Sequence, residues 1–320
     1  MPAIATTVPG KIILVGEHAV VYGRPAIAVP VMQVQARAAI TANPRAKPGT
    51  IRIQSANIGL ETILDELSEE HPIRKTITSV ADALHVDHIP ACTIRLISTI
   101  PVASGLGSGA AIAVALIRSL SAFLGHPFSD DQVNALAFEI EKIHHLTPSG
   151  LDNTVITYAK PVYFIKDQPL ETFQVGKPFL IAIGDTRISS PTALAVAEVH
   201  RSWKADKAFY ERVFDSIGGI VIKARQAIES GDIELLGLLM NENHEWLRRI
   251  NVSSPDLDHL VSVARMAGAL GAKLSGGGRG GNMIALVTPE NAERVAQALR
   301  TEGVMRTILT KIDSTRPLFE

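Results

Sequence analysis

The chain has 320 residues, 46% hydrophobic and 20% charged, a globular composition that excludes a disordered segment and leaves room for a large core. Its 31 basic and 32 acidic residues leave a net charge of -1, which gives no electrostatic footprint for nucleic acid or an anionic membrane and points to a small ligand. Cys92 is the sole cysteine, which excludes an intrachain disulfide and a cysteine-rich metal site. That usage fits a reducing compartment, and with no secretory segment evident the expected location is cytoplasmic.

From the N-terminus, "PGKIILVGEHAVVYGRPAIAVP" reads as a short apolar strand entered at Lys11 and closed by a turn at Gly16, Glu17 and His18. By itself it does not decide whether these polar groups form a plain turn or a site. "QVQARAAI" and "TIRIQS" alternate like half-buried strands, and "TIRLIST" leads into the glycine-rich "PVASGLGSGAA". The uncharged stretch from Leu96 to Ile117 is about long enough to cross a bilayer. Pro101, Gly105, Gly107 and Gly109 instead predict a loop entering a helix, over Ala110 to Leu124. The next helix is capped by Ser129, with Gln132 reaching back, and runs to about His145. Its apolar face carries Val133, Leu136, Ala137 and Ile140. Glu139 and Glu141 fall on opposite shoulders, so periodicity does not choose between them, and His144 reads as a core histidine. "TPSGLDN" reads as a turn.

The second half opens with a strand in "VGKPFLIAIGDT" and is mostly helical through Arg249. "SSPDLDHLVSVARMAGALGAKL" is a helix with Pro255 near its first turn, followed by a strand. A glycine run, a strand, a helix starting at Thr288 and Pro289, and the strand "VMRTILTKI" complete the order. The predicted fold class is α+β in two domains, residues 1–178 and 179–320.

Two loops carry the chemistry. "SGLGSGAA" exposes backbone N–H groups at the positive end of a helix, an anion site in which Ser108 either caps the helix or meets phosphate; a tight strand-to-helix turn is the plain alternative. It is neither a Walker A loop nor a dinucleotide fingerprint. "KLSGGGRGGNMIAL" holds five glycines between Gly276 and Gly281, interrupted by Arg279, and reads as a flexible turn or as a backbone wall against a ligand.

"PGKIILVGEHAVVYG", "PVASGLGSGAA", "FEIEKIHHLTPSGLDN" and "KLSGGGRGGN" resemble, in order and spacing, the GHMP kinase family, and "IAIGDTRISSPT" is similar to the segment opening its second domain. "GEHAVVYG" narrows the resemblance to members acting on mevalonate. The implied fold is a ribosomal-protein-S5-like N-terminal domain with a ferredoxin-like C-terminal domain. The implied activity is transfer of the ATP γ-phosphoryl group to the primary hydroxyl of mevalonate, with Mg²⁺ as cofactor. By the resemblance, Pro101, Val102, Ala103, Ser104, Gly105, Leu106, Gly107, Ser108, Gly109, Ala110 and Ala111 cradle the nucleotide phosphates. Glu141 holds the metal, with Ser108 as a further ligand; Asp152 takes or orients the hydroxyl proton and Lys11 pairs with Asp152. Glu17, His18, Ser149, Thr186 and Gly277 line the acceptor pocket, and a homodimer is common among such proteins.

Two positions depart from the family pattern. Gly109 stands where a second serine is usual, and Arg279 interrupts the last glycine loop, where it either contacts phosphate or points into solvent. The alternatives are a relative acting on phosphomevalonate or a similar alcohol, for which Arg187 and Arg279 are the basic hints, and a nucleotide-binding sensor without activity.

Overall fold

The computed structural model describes residues 3–101, 104–144, 149–186, 188 and 192–314. β1 (Ile4–Val15), β2 (Ala26–Ala42), β3 (Ile51–Ser55), β4 (Leu60–Ile63), β5 (Cys92–Ser98), β6 (Val162–Phe164) and β7 (Glu171–Thr172) form one sheet. Its order is β4-β3-β5-β2-β6-β7, with β1 paired along β2. Among the described residues only the β3–β5 pairing is parallel. The helices α1 (Pro72–Ala83), α2 (Ser108–Phe123), α3 (Asp130–His144) and α4 (Leu151–Tyr158) belong to this half. α2 lies on β1 and β2, where Ala111 and Ala115 allow close approach and Val114, Leu116, Ile117 and Leu120 are buried.

β8 (Phe179–Asp185), β9 (Gly271–Ser275), β10 (Asn282–Val287) and β11 (Arg306–Ile312) make a second, antiparallel sheet in the order β11-β8-β10-β9. This is the ferredoxin-like order, with the first strand between the third and fourth. Between its first and second strands lie α5 (Thr192–Ala205), α6 (Lys207–Ser230), α7 (Ile233–Arg249) and α8 (Pro255–Met266); α9 (Ala292–Thr301) precedes β11.

The predicted cap of α3 is present: the Ser129 N–H donates to Gln132 Oε1 at 3.0 Å and the Gln132 N–H to Ser129 Oγ at 3.3 Å. Three elements differ from expectation. α4 stands where a turn was read, because Gly150, at φ 84°, swings the chain into a helix whose Leu151, Val155 and Ile156 are buried. α9 begins at Ala292 rather than Thr288, since Asn291 Oδ1 accepts the Thr288 N–H at 2.8 Å and makes the preceding residues a turn. β2 is twice the length anticipated, starting at Ala26. A register shift between Pro9 and Gly10 bends β1. Lys11 then sits opposite Pro30, and its N–H donates to Leu106 O at 3.0 Å, tying the strand to the first glycine loop.

Candidate active site

The two sheets meet where β1 ends. Ser275 Oγ of β9 donates to Ile13 O at 2.8 Å, and the Gly16 N–H donates to Asn243 Oδ1 at 3.3 Å. Asn282 Nδ2 donates to Ser104 O at 2.5 Å, so the second sheet also holds the first glycine loop.

At one end of this seam the loop feeds α2. Gly107 occupies the cap position at φ 77°, and a Cβ there would come within 2.8 Å of Ile156 Cδ1 and 3.1 Å of Lys11 Cγ. Glycine is what lets the loop lie against the lysine. Ser108 is the first residue of the helix rather than its cap, so of its two sequence readings the capping one fails. It lines a cavity of about 360 Å³ with Ile58, Leu96, Pro101, Ile112 and Arg306. Val102 and Ala103, assigned to the same loop from sequence, lie outside the described residues. Gly105, Leu106, Gly109, Ala110 and Ala111 complete the turn and first helical residues, and no atom lies within 4 Å of a Cβ built on Gly109.

Beside the loop, Lys11 Nζ is 2.8 Å from Asp152 Oδ1; the lysine side chain is 4% exposed and the aspartate 27%. Glu141 Oε2 is buried with no hydrogen-bond partner. Burial, then the neighbouring Asp152 charge, push the Glu141 carboxyl up to about 8, with Lys11 partly opposing. Glu139 instead points outward, 62% exposed, and pairs with Lys142 at 2.6 Å. The structure thus separates two glutamates that periodicity left equivalent. An orphaned carboxylate oxygen beside a second carboxylate suits a cation. Among the described residues no three His, Cys, Asp or Glu side chains gather into a cage. The donor set fits Mg²⁺, which takes one or two carboxylates and draws its remaining ligands from phosphate and water.

At the other end His18, at φ 61°, donates its Nε2–H to Gly277 O at 3.1 Å. Burial lowers its pKa to about 4, so it is neutral. Thr186 Oγ1 donates to Gly281 O at 2.8 Å, and Ser149 Oγ accepts the Leu151 N–H at 3.3 Å. Arg187 and the His144 side chain lie outside the described residues.

Glu17 has a partner that the sequence did not show, and the expectation for Arg279 is corrected. Glu17 is 1% exposed and ion-paired with Lys273, itself fully buried, while its Oε2 is buried with no hydrogen-bond partner. Lys273 Nζ also donates to Leu274 O at 2.5 Å. Burial pushes the Glu17 carboxyl up and the Lys273 ammonium down. Arg279 neither points into solvent nor toward phosphate; it pairs with Glu198 and donates to Asn251 O. The sequence reading passed over Lys273, Asn243 and Asn282. Lys273, a lone charge in the apolar strand "GAKLS", was the one detectable signal among them.

The family models for the GHMP kinases N terminal domain and the GHMP kinases C terminal match residues 72–160 and 224–304. A mevalonate kinase of Thermococcus sibiricus is 34% identical, covering 97% of this chain and 96% of that protein. The crystal structure of L. major mevalonate kinase in complex with R-mevalonate superposes with a TM-score of 0.83 at 29% identity, over 98% of this chain and 97% of that one. The Methanococcus jannaschii mevalonate kinase gives 0.85 at 26% identity, over 98% and 99%. With these likenesses running the length of the chain, the protein belongs to the GHMP kinase family, among its mevalonate kinases.

Proposed function

We propose that the protein transfers the γ-phosphoryl group of ATP to the primary hydroxyl of mevalonate, giving 5-phosphomevalonate. The observation that carries the reading is the 2.8 Å contact of Lys11 with Asp152, set between the N-terminus of α2 and the buried Glu141. The nucleoside occupies the cavity beside Ser108, and its phosphates run along residues 104–111, where free N–H groups and the helix dipole receive them. Asp152 accepts the proton of the acceptor hydroxyl as that oxygen forms its bond to the γ-phosphorus and the bridging bond to the β-phosphate oxygen breaks, releasing ADP. Lys11, held nearly out of water, stabilises the developing alkoxide and orients Asp152 through their 2.8 Å contact.

Glu141 and the Ser108 hydroxyl are the residues that would hold Mg²⁺, whose charge neutralises the phosphoryl oxygens when it is bound. His18 commits Nε2–H to Gly277 and leaves Nδ1 as an acceptor toward the substrate side, where Ser149, Thr186 and Gly277 complete the wall. Glu17, one of whose carboxylate oxygens is buried without a hydrogen-bond partner, belongs to the same wall. The domain division at 178/179 falls just before β8, between the last strand of one sheet and the first of the other. A cytoplasmic homodimer is the proposed state; among the described residues no helix is long and apolar enough to cross a membrane.

The test is ADP release by the purified protein with mevalonate, phosphomevalonate and a panel of related alcohols. Mevalonate should give the highest kcat/KM. Preference for phosphomevalonate moves the protein to another branch, and nucleotide binding without turnover of any acceptor makes it a sensor.

A further inference from the structure

Arg279 holds a left-handed backbone, φ 61°, in the middle of the second glycine run, a conformation that residues with a Cβ avoid. Such a conformation survives where the surroundings over-determine it, and these cluster at ligand clamps. Here the surroundings are specific. The Arg279 N–H donates to Val252 O at 2.8 Å, and its Nε and Nη2 donate to Asn251 O at 3.2 Å and 3.1 Å. Its Nη1 pairs with Glu198 of α5. The positions flanking it have no space for a side chain to do the same: a Cβ on Gly278 would fall 1.9 Å from Val252 O, one on Gly280 2.5 Å from Ile188 O, and one on Gly277 3.1 Å from Thr192 Cα, at the start of α5.

Asn251, at φ 59°, and His18, at φ 61°, are left-handed as well. Thus three of the six non-glycine residues with positive φ among the described residues meet around this one loop. The contacts also close a circuit. His18 leads directly into the turn ending at Tyr22, whose ring stacks on Phe214 at 4.2 Å and lies 5.3 Å from Trp203 of α5. Glu198, on the same helix, reaches Arg279, and two residues earlier Gly277 O returns to His18 at 3.1 Å. α5 is therefore fastened to both partners of the His18–Gly277 contact, on one side by aromatic stacking and on the other by the Arg279–Glu198 pair alone among the ion pairs described.

We propose that Arg279 is a positioning residue for the acceptor: by clamping α5 to the second glycine loop through Glu198, it fixes the Gly277 carbonyl that orients His18. This rests on the reading of His18 and Gly277 as acceptor-side groups. The nucleotide cavity, lined by Ser108, Pro101 and Arg306, lies outside the circuit, so the clamp acts on one substrate and not on the other.

The experiment is steady-state kinetics of the full chain with Arg279→Gly, Glu198→Gln and the double variant, each scanned separately for acceptor and ATP. Arg279→Gly relieves the backbone conformation and should melt no earlier than the parent, which separates the clamp from general stability. Each variant should raise the acceptor KM at least about tenfold while the ATP KM stays within about twofold, and the double variant should be no worse than Arg279→Gly. An unchanged acceptor KM, a parallel rise in both KM values, or multiplying effects of the two substitutions would overturn the proposal. If the parent prefers another alcohol of the panel, the mevalonate reading fails and the same split, read with that alcohol, still judges the clamp. A parent inert toward every alcohol overturns both.

Discussion

Asp152 owes its place to Gly150, whose left-handed backbone turns the chain into α4 and sets the carboxylate in the first helical turn, against Lys11. Asp152→Asn keeps the shape but can neither take a proton nor hold the lysine by charge; kcat should fall at least about a hundredfold with folding intact. A folded variant within a few-fold of the parent would remove Asp152 from the chemistry. Glu141 and Glu139 make a matched pair of opposite surroundings, one buried with an orphaned oxygen, the other solvated beside Lys142. Titrating Mg²⁺ against initial rate should show a weakened metal response in Glu141→Gln and none in Glu139→Gln; equal responses would refute the assignment. Ser108 is not a helix cap, so Ser108→Ala should leave the melting temperature nearly unchanged while impairing metal-dependent turnover. The open space at Gly109 admits a second hydroxyl, and Gly109→Ser should partly rescue Ser108→Ala. Early melting of Ser108→Ala with normal turnover would instead restore the capping role.

At the scale of elements, what the sequence revealed was what local chemistry decides. The reciprocal cap of α3 is written in "SDDQ", and the strands of the second sheet follow from apolar runs punctuated by glycine. α4 was hidden because its β-branched residues from Thr154 to Thr157 have poor helix propensity, which burial of Leu151, Val155 and Ile156 overrides. The choice between Glu139 and Glu141 was invisible for a related reason: it depends on which flank of α3 meets α4 and Lys11. The partner of Glu17 was hidden because Lys273 lies 256 residues away, on a strand whose every residue is buried. Lys273→Met strands the Glu17 carboxylate in the core and should cost about 3–5 kcal/mol in denaturant unfolding, most of it recovered by adding Glu17→Gln. A loss below about 1 kcal/mol for the single variant would mean the pair is dispensable.

In the whole molecule two neutral histidines join that ion pair, one across the seam between the sheets and one within the second half. His18, in the turn after β1, reaches the second glycine loop, while His244 Nδ1 accepts the Leu274 N–H at 3.4 Å and its Nε2 donates to Asp258 at 3.1 Å, tying α7 to β9 and α8. Burial lowers both from the usual 6.5 to about 4. Between those values the unfolded chain binds two protons that the native protein refuses, so stability falls as pH drops from about 6.5 to about 4, by about 3 kcal/mol for each histidine. Glu141 acts in the opposite sense: its carboxyl, raised from 4.5 to about 8, takes up a proton in the native state first, so without metal stability grows as pH falls from about 8. Below about 6.5 the two histidines oppose Glu141, and Glu17, also raised by burial, acts in the carboxyl's sense. Unfolding free energies measured from pH 8 to 4 in the parent and in His244→Gln isolate the share of one histidine. Between about pH 6.5 and 4, His244→Gln should lose about 3 kcal/mol less than the parent, with the same pH dependence above that range, because the glutamine cannot take the histidine's proton. Parallel acid limbs in parent and variant would show that the loss of stability comes from elsewhere in the molecule.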